Sequence, residues 1–130
     1  MRLGKLIDRL SEYPETHKVV FGYVGDCEEE LDGPFPNGLC SYRGHYDRLC
    51  IMPSNECPTV KELLNDLKSA VGAVFTGYKG GEYKMDRNSF VHVAPYGQIN
   101  DFYIIGLEMD TTPGYVYILL AEVEDYKNAY

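Results

Sequence analysis

The chain has no tryptophan and only five phenylalanines, against twelve tyrosines. Nearly all its aromatic surface therefore ends in a polar tip. It lacks any stretch near the roughly 18 consecutive apolar residues of a membrane span. Its opening ten residues, Met1 to Leu10, are charged too often for the apolar segment of a signal peptide. A cytoplasmic protein is the default expectation. Positive charge is also scarce: 12 Lys and Arg stand against 20 Asp and Glu, a formal net charge of −8. That balance argues against general binding to nucleic-acid phosphates. No Cys-x-x-Cys spacing occurs among Cys27, Cys40, Cys50 and Cys57, so the usual zinc and redox motifs are missing. The four read as reduced thiols, Cys50 among them in the core. His17, His45 and His92 are too scattered for a ligand set, and no metal or cofactor is expected.

At 130 residues the chain is expected to form a single domain, 1–130, with a substantial core. Leu3, Leu6, Ile7 and Leu10 fall at helical spacing and predict an amphipathic helix over 2–12, ended by Tyr13-Pro14. Residues 18–24 read as a strand. A long loop is expected next, holding Asp26, Glu28, Glu29, Glu30 and Asp32, then Gly33-Pro34 and Phe35-Pro36-Asn37-Gly38. The acidic run reads first as a solvated loop. A metal site is a weaker reading, since no EF-hand spacing is present; a surface imitating nucleic-acid charge is a third.

Residues 48–53 form a second expected strand. Thr59 and Glu62 stand at capping-box spacing at the head of a second helix, with Val60, Leu63, Leu64, Leu67 and Val71 as its buried stripe and Gly72 as its stop. Residues 73–75 read as a short strand or an extended lead. Residues 90–94, 102–108 and 115–121 are strands, with a hairpin turn at Thr111-Thr112-Pro113-Gly114. The expected fold is α+β: two amphipathic helices packed on one mixed or antiparallel sheet of about five strands.

Two clusters carry the chemistry. In Ser41-Tyr42-Arg43-Gly44-His45-Tyr46 and in Gly77-Tyr78-Lys79-Gly80-Gly81-Glu82-Tyr83, a cation sits beside glycine with tyrosines to either side. Glycine lets backbone approach a ligand, arginine and lysine supply donors and charge, and tyrosine supplies flat faces. The candidate binding residues are therefore Tyr42, Arg43, Gly44, Tyr46, Tyr78, Lys79, Gly80, Gly81 and Tyr83. Plainer readings stand beside this one. Arg43 reads equally as a surface residue stacked on Tyr42 or Tyr46, or paired with Asp26. Lys79-Gly80-Gly81-Glu82 would serve as a tight hairpin turn, where the binding reading has backbone amides facing an anion. The order and spacing of a P-loop or dinucleotide fingerprint are absent. No nucleophile elbow, Cys-His signature or His-Glu-x-x-His helix is present, so the chain reads as non-enzymatic. His45 and His92 form an acid–base pair only if the fold brings them together, and the alternating strand 91–93 predicts a solvent-facing His92.

With these segments the chain resembles a family of small proteins encoded by tailed bacteriophages. That family shows Ser-Tyr-Arg-Gly-x-Tyr, a short apolar strand, a helix led by Thr-Val, and Gly-Tyr-Lys-Gly-Gly-x-Tyr-x-Met. Here these are residues 41–46, 49–52, 59–72 and 77–85. Phe90 to Ala94 and Tyr96-Gly97 match the family's continuation, while the acidic run and the tyrosine-rich tail are peculiar to this chain. The resemblance implies a phage accessory factor that blunts host defences from the host cytoplasm. Two mechanisms fit. In one, the protein sequesters a small nucleotide-derived anionic ligand: Arg43 and Lys79 meet phosphates, the Gly80 and Gly81 amides add hydrogen bonds, and a tyrosine stacks a base. In the other, it inhibits a host defence protein through acidic and tyrosine-rich surfaces, as anti-CRISPR or anti-restriction factors do. The first is favoured on residue chemistry. It leans toward a homo-oligomer, because shared interfaces build pockets.

Overall fold

The computed structural model describes residues 1–24, 33–94, 102–110 and 114–122. The acidic run with Cys27, Tyr96-Gly97, most of the 111–114 turn and the tyrosine-rich tail lie outside the described residues. In chain order the elements are α1 (Leu3–Leu10), β1 (Lys18–Tyr23), β2 (Phe35–Ser41), β3 (Leu49–Ser54), α2 (Val60–Ala70), β4 (Val74–Thr76), β5 (Glu82–Lys84), β6 (Val91–Val93), β7 (Phe102–Asp110) and β8 (Tyr115–Ala121).

Six strands form one mixed sheet in the order β1-β8-β7-β6-β3-β2, and β4 and β5 form a separate two-stranded hairpin. The pairs β6–β7, β7–β8 and β2–β3 are antiparallel, while β1–β8 and β3–β6 are parallel. The sheet curls until its two edges approach, and the Phe21 amide of β1 donates to the Pro34 carbonyl just before β2 at 2.9 Å. The result is a half-barrel.

This corrects the expected α+β arrangement. The described chain is mostly β, and its two helices are short minor elements of 8 and 11 residues. The error has a physical source. Phe35-Pro36-Asn37-Gly38 carries turn chemistry, yet it opens β2. Proline is tolerated there because β2 is an edge strand, and a register shift between Pro36 and Leu39, with Gly38 at φ 120°, absorbs the misfit. Strand β5 lay hidden in the glycine-rich segment for the same reason: cross-strand pairing overrides local propensity.

The core follows from alternation along the strands. Val19 and Phe21, Leu49 and Ile51, Val91 and Val93, Phe102 and Ile104, and Val116, Ile118 and Leu120 face one side. They meet Leu3, Leu6, Ile7 and Leu10 of α1 and Val60, Leu63, Leu64 and Leu67 of α2. The capping box of α2 forms: Thr59 Oγ1 accepts from the Glu62 amide at 3.2 Å, and Glu62 Oε1 accepts from the Thr59 amide at 3.1 Å. The expected stripe differs at its end, where Ala70 is buried and Val71 is exposed. Helix α1 has no side-chain cap; its first amides are satisfied from the 87–89 turn, Leu3 by Ser89 O and Gly4 by Arg87 O. Among the described residues no helix is long and apolar enough to cross a membrane.

Candidate functional site

The first cluster forms the loop from β2 to β3. The Tyr42 amide donates to Arg48 O at 2.8 Å, Ser41 Oγ donates to Tyr46 O at 2.7 Å, and Arg48 N donates to His45 O at 2.9 Å. The second cluster is the turn of the β4–β5 hairpin. Gly77 N donates to Gly81 O at 3.0 Å and Gly80 N to Gly77 O at 2.9 Å, with positive φ at Gly80 and Gly81. The glycines thus build a tight turn that carries Tyr78 and Lys79 at its tip. The Gly80 amide is already engaged inside that turn.

The fold brings the two clusters together. The Arg43 guanidinium lies over the Tyr78 ring, its central carbon 3.3 Å from the ring centroid. The two segments also meet through Tyr46 and Tyr83, whose rings stand 5.6 Å apart. Gly77 lies so close to Tyr46 that a Cβ there would fall 3.0 Å from the ring and 2.9 Å from Gly80 O. Arg43 is half-buried, Lys79 is exposed, and Tyr78 is 67% exposed. A cation, a largely open aromatic ring and a second cation therefore share one hairpin tip.

The other candidate residues have different neighbours. Tyr42 is buried and stacks on His92, with centroids 4.2 Å apart and planes 14° from parallel. Gly44 makes room for it, since a Cβ there would lie 2.7 Å from the Tyr42 ring. His92 was expected to face solvent, and here the structure corrects the sequence reading. Alternation does turn it away from the main core, but Tyr42 and Tyr103 cover that face and leave it 4% exposed. Arg48 Nη1 lies 3.2 Å from His92 Nε2. The His45 ring stands 6.4 Å from that of Tyr42, on which His92 stacks. Among the described residues, no three His, Cys, Asp or Glu side chains gather as a metal site.

Sequence reasoning missed a second concentration of cations. Two neighbouring clefts of about 310 and 350 Å³ share Arg2 and Asn88. Arg2, Lys5, Arg9, Arg48, Lys84 and Arg87 line them, with Asp8, Glu12, Asp47 and Asp86. Half of the chain's 12 cations thus gather in one region of an acidic protein. Three are pinned: Arg2 and Arg48 lie over Phe90, and Arg87 pairs with Asp8 at 2.7 Å. The Lys5 pKa is lowered, first by burial and then by Arg9. No local motif signals this group, because its members come from α1 and its N-cap, the β2–β3 loop, β5 and the 86–90 turn.

Comparison with known proteins returns no match: no family model fits the chain, and no curated protein or solved structure is significantly similar.

Proposed function

We propose that this protein is a non-catalytic phage accessory factor that binds and sequesters a small nucleotide-derived anionic ligand, acting in counter-defence. The observation that carries the reading is the Arg43–Tyr78 contact, which joins two cation–tyrosine–glycine clusters far apart in sequence. Arginine holds one face of Tyr78 and fixes its orientation, which lowers the ordering cost of a base stacking on the other face. Such a stack contributes about 1–3 kcal/mol. Lys79 and the edge of the Arg43 guanidinium then serve phosphate oxygens. Tyr42 takes no part, being stacked on His92.

The testing experiment is a thermal-shift screen against cyclic di- and trinucleotides and ADP-ribose derivatives. A ligand at 100 times its dissociation constant stabilises the fold by about 2.7 kcal/mol. The expected rise is abolished in Arg43→Ala and Tyr78→Ala. Loss in Arg2→Ala instead would move the ligand to the basic clefts. No shift with any ligand would favour the second reading, inhibition of a basic host protein, which the net charge of −8 supports.

A further inference from the structure

Cys40 and Cys50 stand directly opposite each other on the antiparallel strands β2 and β3. Two positions along, the Tyr42 amide donates to Arg48 O. This bond between directly opposed residues marks a hydrogen-bonded position of the ladder, although the Arg48 amide turns to His45 O instead, and the alternation of an antiparallel ladder puts Cys40 and Cys50 at another. Cα atoms in such a pair lie about 5.5 Å apart, inside the roughly 4.4–6.8 Å that a disulfide spans. Their Cβ atoms, about 5 Å apart, exceed the roughly 3.5–4.5 Å of a relaxed disulfide, so closure takes a small backbone adjustment and gives a readily reduced bond. Opposed residues project from the same face of the sheet. Here that face is the one turned away from the main core, where Cys40, Cys50, Tyr42 and Ala94 form a small cluster of their own. Cys40 packs against the cluster that holds Cys50, whose thiol donates to the Ile51 and Ala94 carbonyls at 3.6 Å; the neighbouring Cys50, opposed by burial and aided by Arg43, lowers the Cys40 pKa. Their access differs: Cys50 is fully buried and Cys40 half-buried.

We propose that Cys40 and Cys50 form a reversible dithiol site for thiol–disulfide exchange with low-molecular-weight disulfides, Cys40 attacking and Cys50 resolving. The Cys40 thiolate attacks one sulfur of R–S–S–R, that bond breaks, and one R–S⁻ departs. The Cys50 thiol gives its proton to a departing thiolate and attacks the Cys40 sulfur, releasing the second R–S⁻, which takes from solvent the proton that Cys40 gave up on ionising. One small disulfide is reduced to two thiols, and the protein dithiol is oxidised to one cross-strand disulfide. The roles follow from access: the small disulfide reaches the half-buried Cys40, and the buried Cys50 stands opposite it on the neighbouring strand. Cys57 has another setting. Its thiol donates to Val19 O at 3.6 Å, and burial raises its pKa. The proposal does not rest on the ligand reading above.

The test is incubation of the protein with glutathione disulfide, followed by intact mass and peptide mapping. The expected product has lost two hydrogens, with the link mapped to Cys40–Cys50 and reversed by excess glutathione. Cys50→Ser should trap one glutathione adduct on Cys40, and Cys40→Ser should give neither adduct at Cys50 nor closure. A wild-type protein that stays reduced, keeps an adduct at Cys40 without closing, or links other cysteines overturns the proposal. The wild-type mapping needs no variant, so poor folding of either mutant leaves the test intact.

Discussion

The central guanidinium carbon of Arg43 lies 3.3 Å from the centroid of the Tyr78 ring, tying the β2–β3 loop to the tip of the β4–β5 hairpin. Each partner comes from a segment that is a plain turn when taken alone. Together they set a fixed aromatic ring beside two cations at the protein surface.

Because Tyr78 is 67% exposed, removing this contact should leave the fold standing. Arg43→Ala and Tyr78→Ala are expected to lower stability by no more than about 1 kcal/mol, the size of an exposed cation–π contact. On the proposed ligand reading, both should also abolish nucleotide binding. Arg43→Lys keeps the charge but loses the planar stack, so it should bind more weakly than wild type and more tightly than Arg43→Ala. Isothermal calorimetry with paired thermal melts separates the two effects.

Two glycines in the same turn should respond differently to alanine. At Gly80 a Cβ meets nothing within 4 Å, and only the positive φ of 92° penalises it. Gly80→Ala should cost about 1–2 kcal/mol, and Gly80→Asn less. At Gly77 a Cβ would strike Gly80 O at 2.9 Å and the Tyr46 ring at 3.0 Å, so Gly77→Ala should cost more and disturb ligand binding too. Urea unfolding of the three variants checks the order; equal costs at both positions would contradict the hairpin geometry.

The α2 capping box supplies a stability probe remote from the candidate site. Thr59→Ala removes the oxygen that accepts from the Glu62 amide and should cost about 1 kcal/mol. Thr59→Ser should restore most of it. The denaturation midpoint is expected to move without a change in slope.

The thiols should separate by pH. The neighbouring Cys50 lowers the Cys40 pKa, whereas burial raises that of Cys57. Iodoacetamide should therefore modify Cys40 at a lower pH than Cys57, as followed by peptide mapping. The linkage signs are opposite. The Cys57 contribution to stability is fully present below the unfolded thiol value and is lost as pH rises through the raised folded value. The Cys40 contribution is present above the unfolded thiol value and is lost as pH falls through its lowered one. Cys57→Ala should accordingly flatten the loss of melting temperature on the alkaline side.

Much of the local structure was legible in the sequence. The spacing of Leu3, Leu6, Ile7 and Leu10 marked α1, Thr59 and Glu62 marked the start of α2, and runs of apolar, β-branched and aromatic residues marked β1, β3, β6, β7 and β8. Strand β2 was not legible, because Pro36 and Gly38 are turn residues that an edge strand with a bulge can hold. The fold class was misjudged with it: the Pro- and Gly-rich edge strand that ends the half-barrel looks like a loop until its partner β3 is in place.

Residue type and local period are properties of short windows, so the sequence by itself determined which segments were amphipathic, where α2 was capped, and which two segments carried cations among tyrosines and glycines. Neighbours across the sheet are set by pairing between distant segments. Only the tertiary structure decided that Arg43 would meet Tyr78, that Tyr42 and Tyr103 would cover His92, and that Cys40 would face Cys50. Each of these depends on strand register, where a slip of one residue moves a side chain to the opposite face.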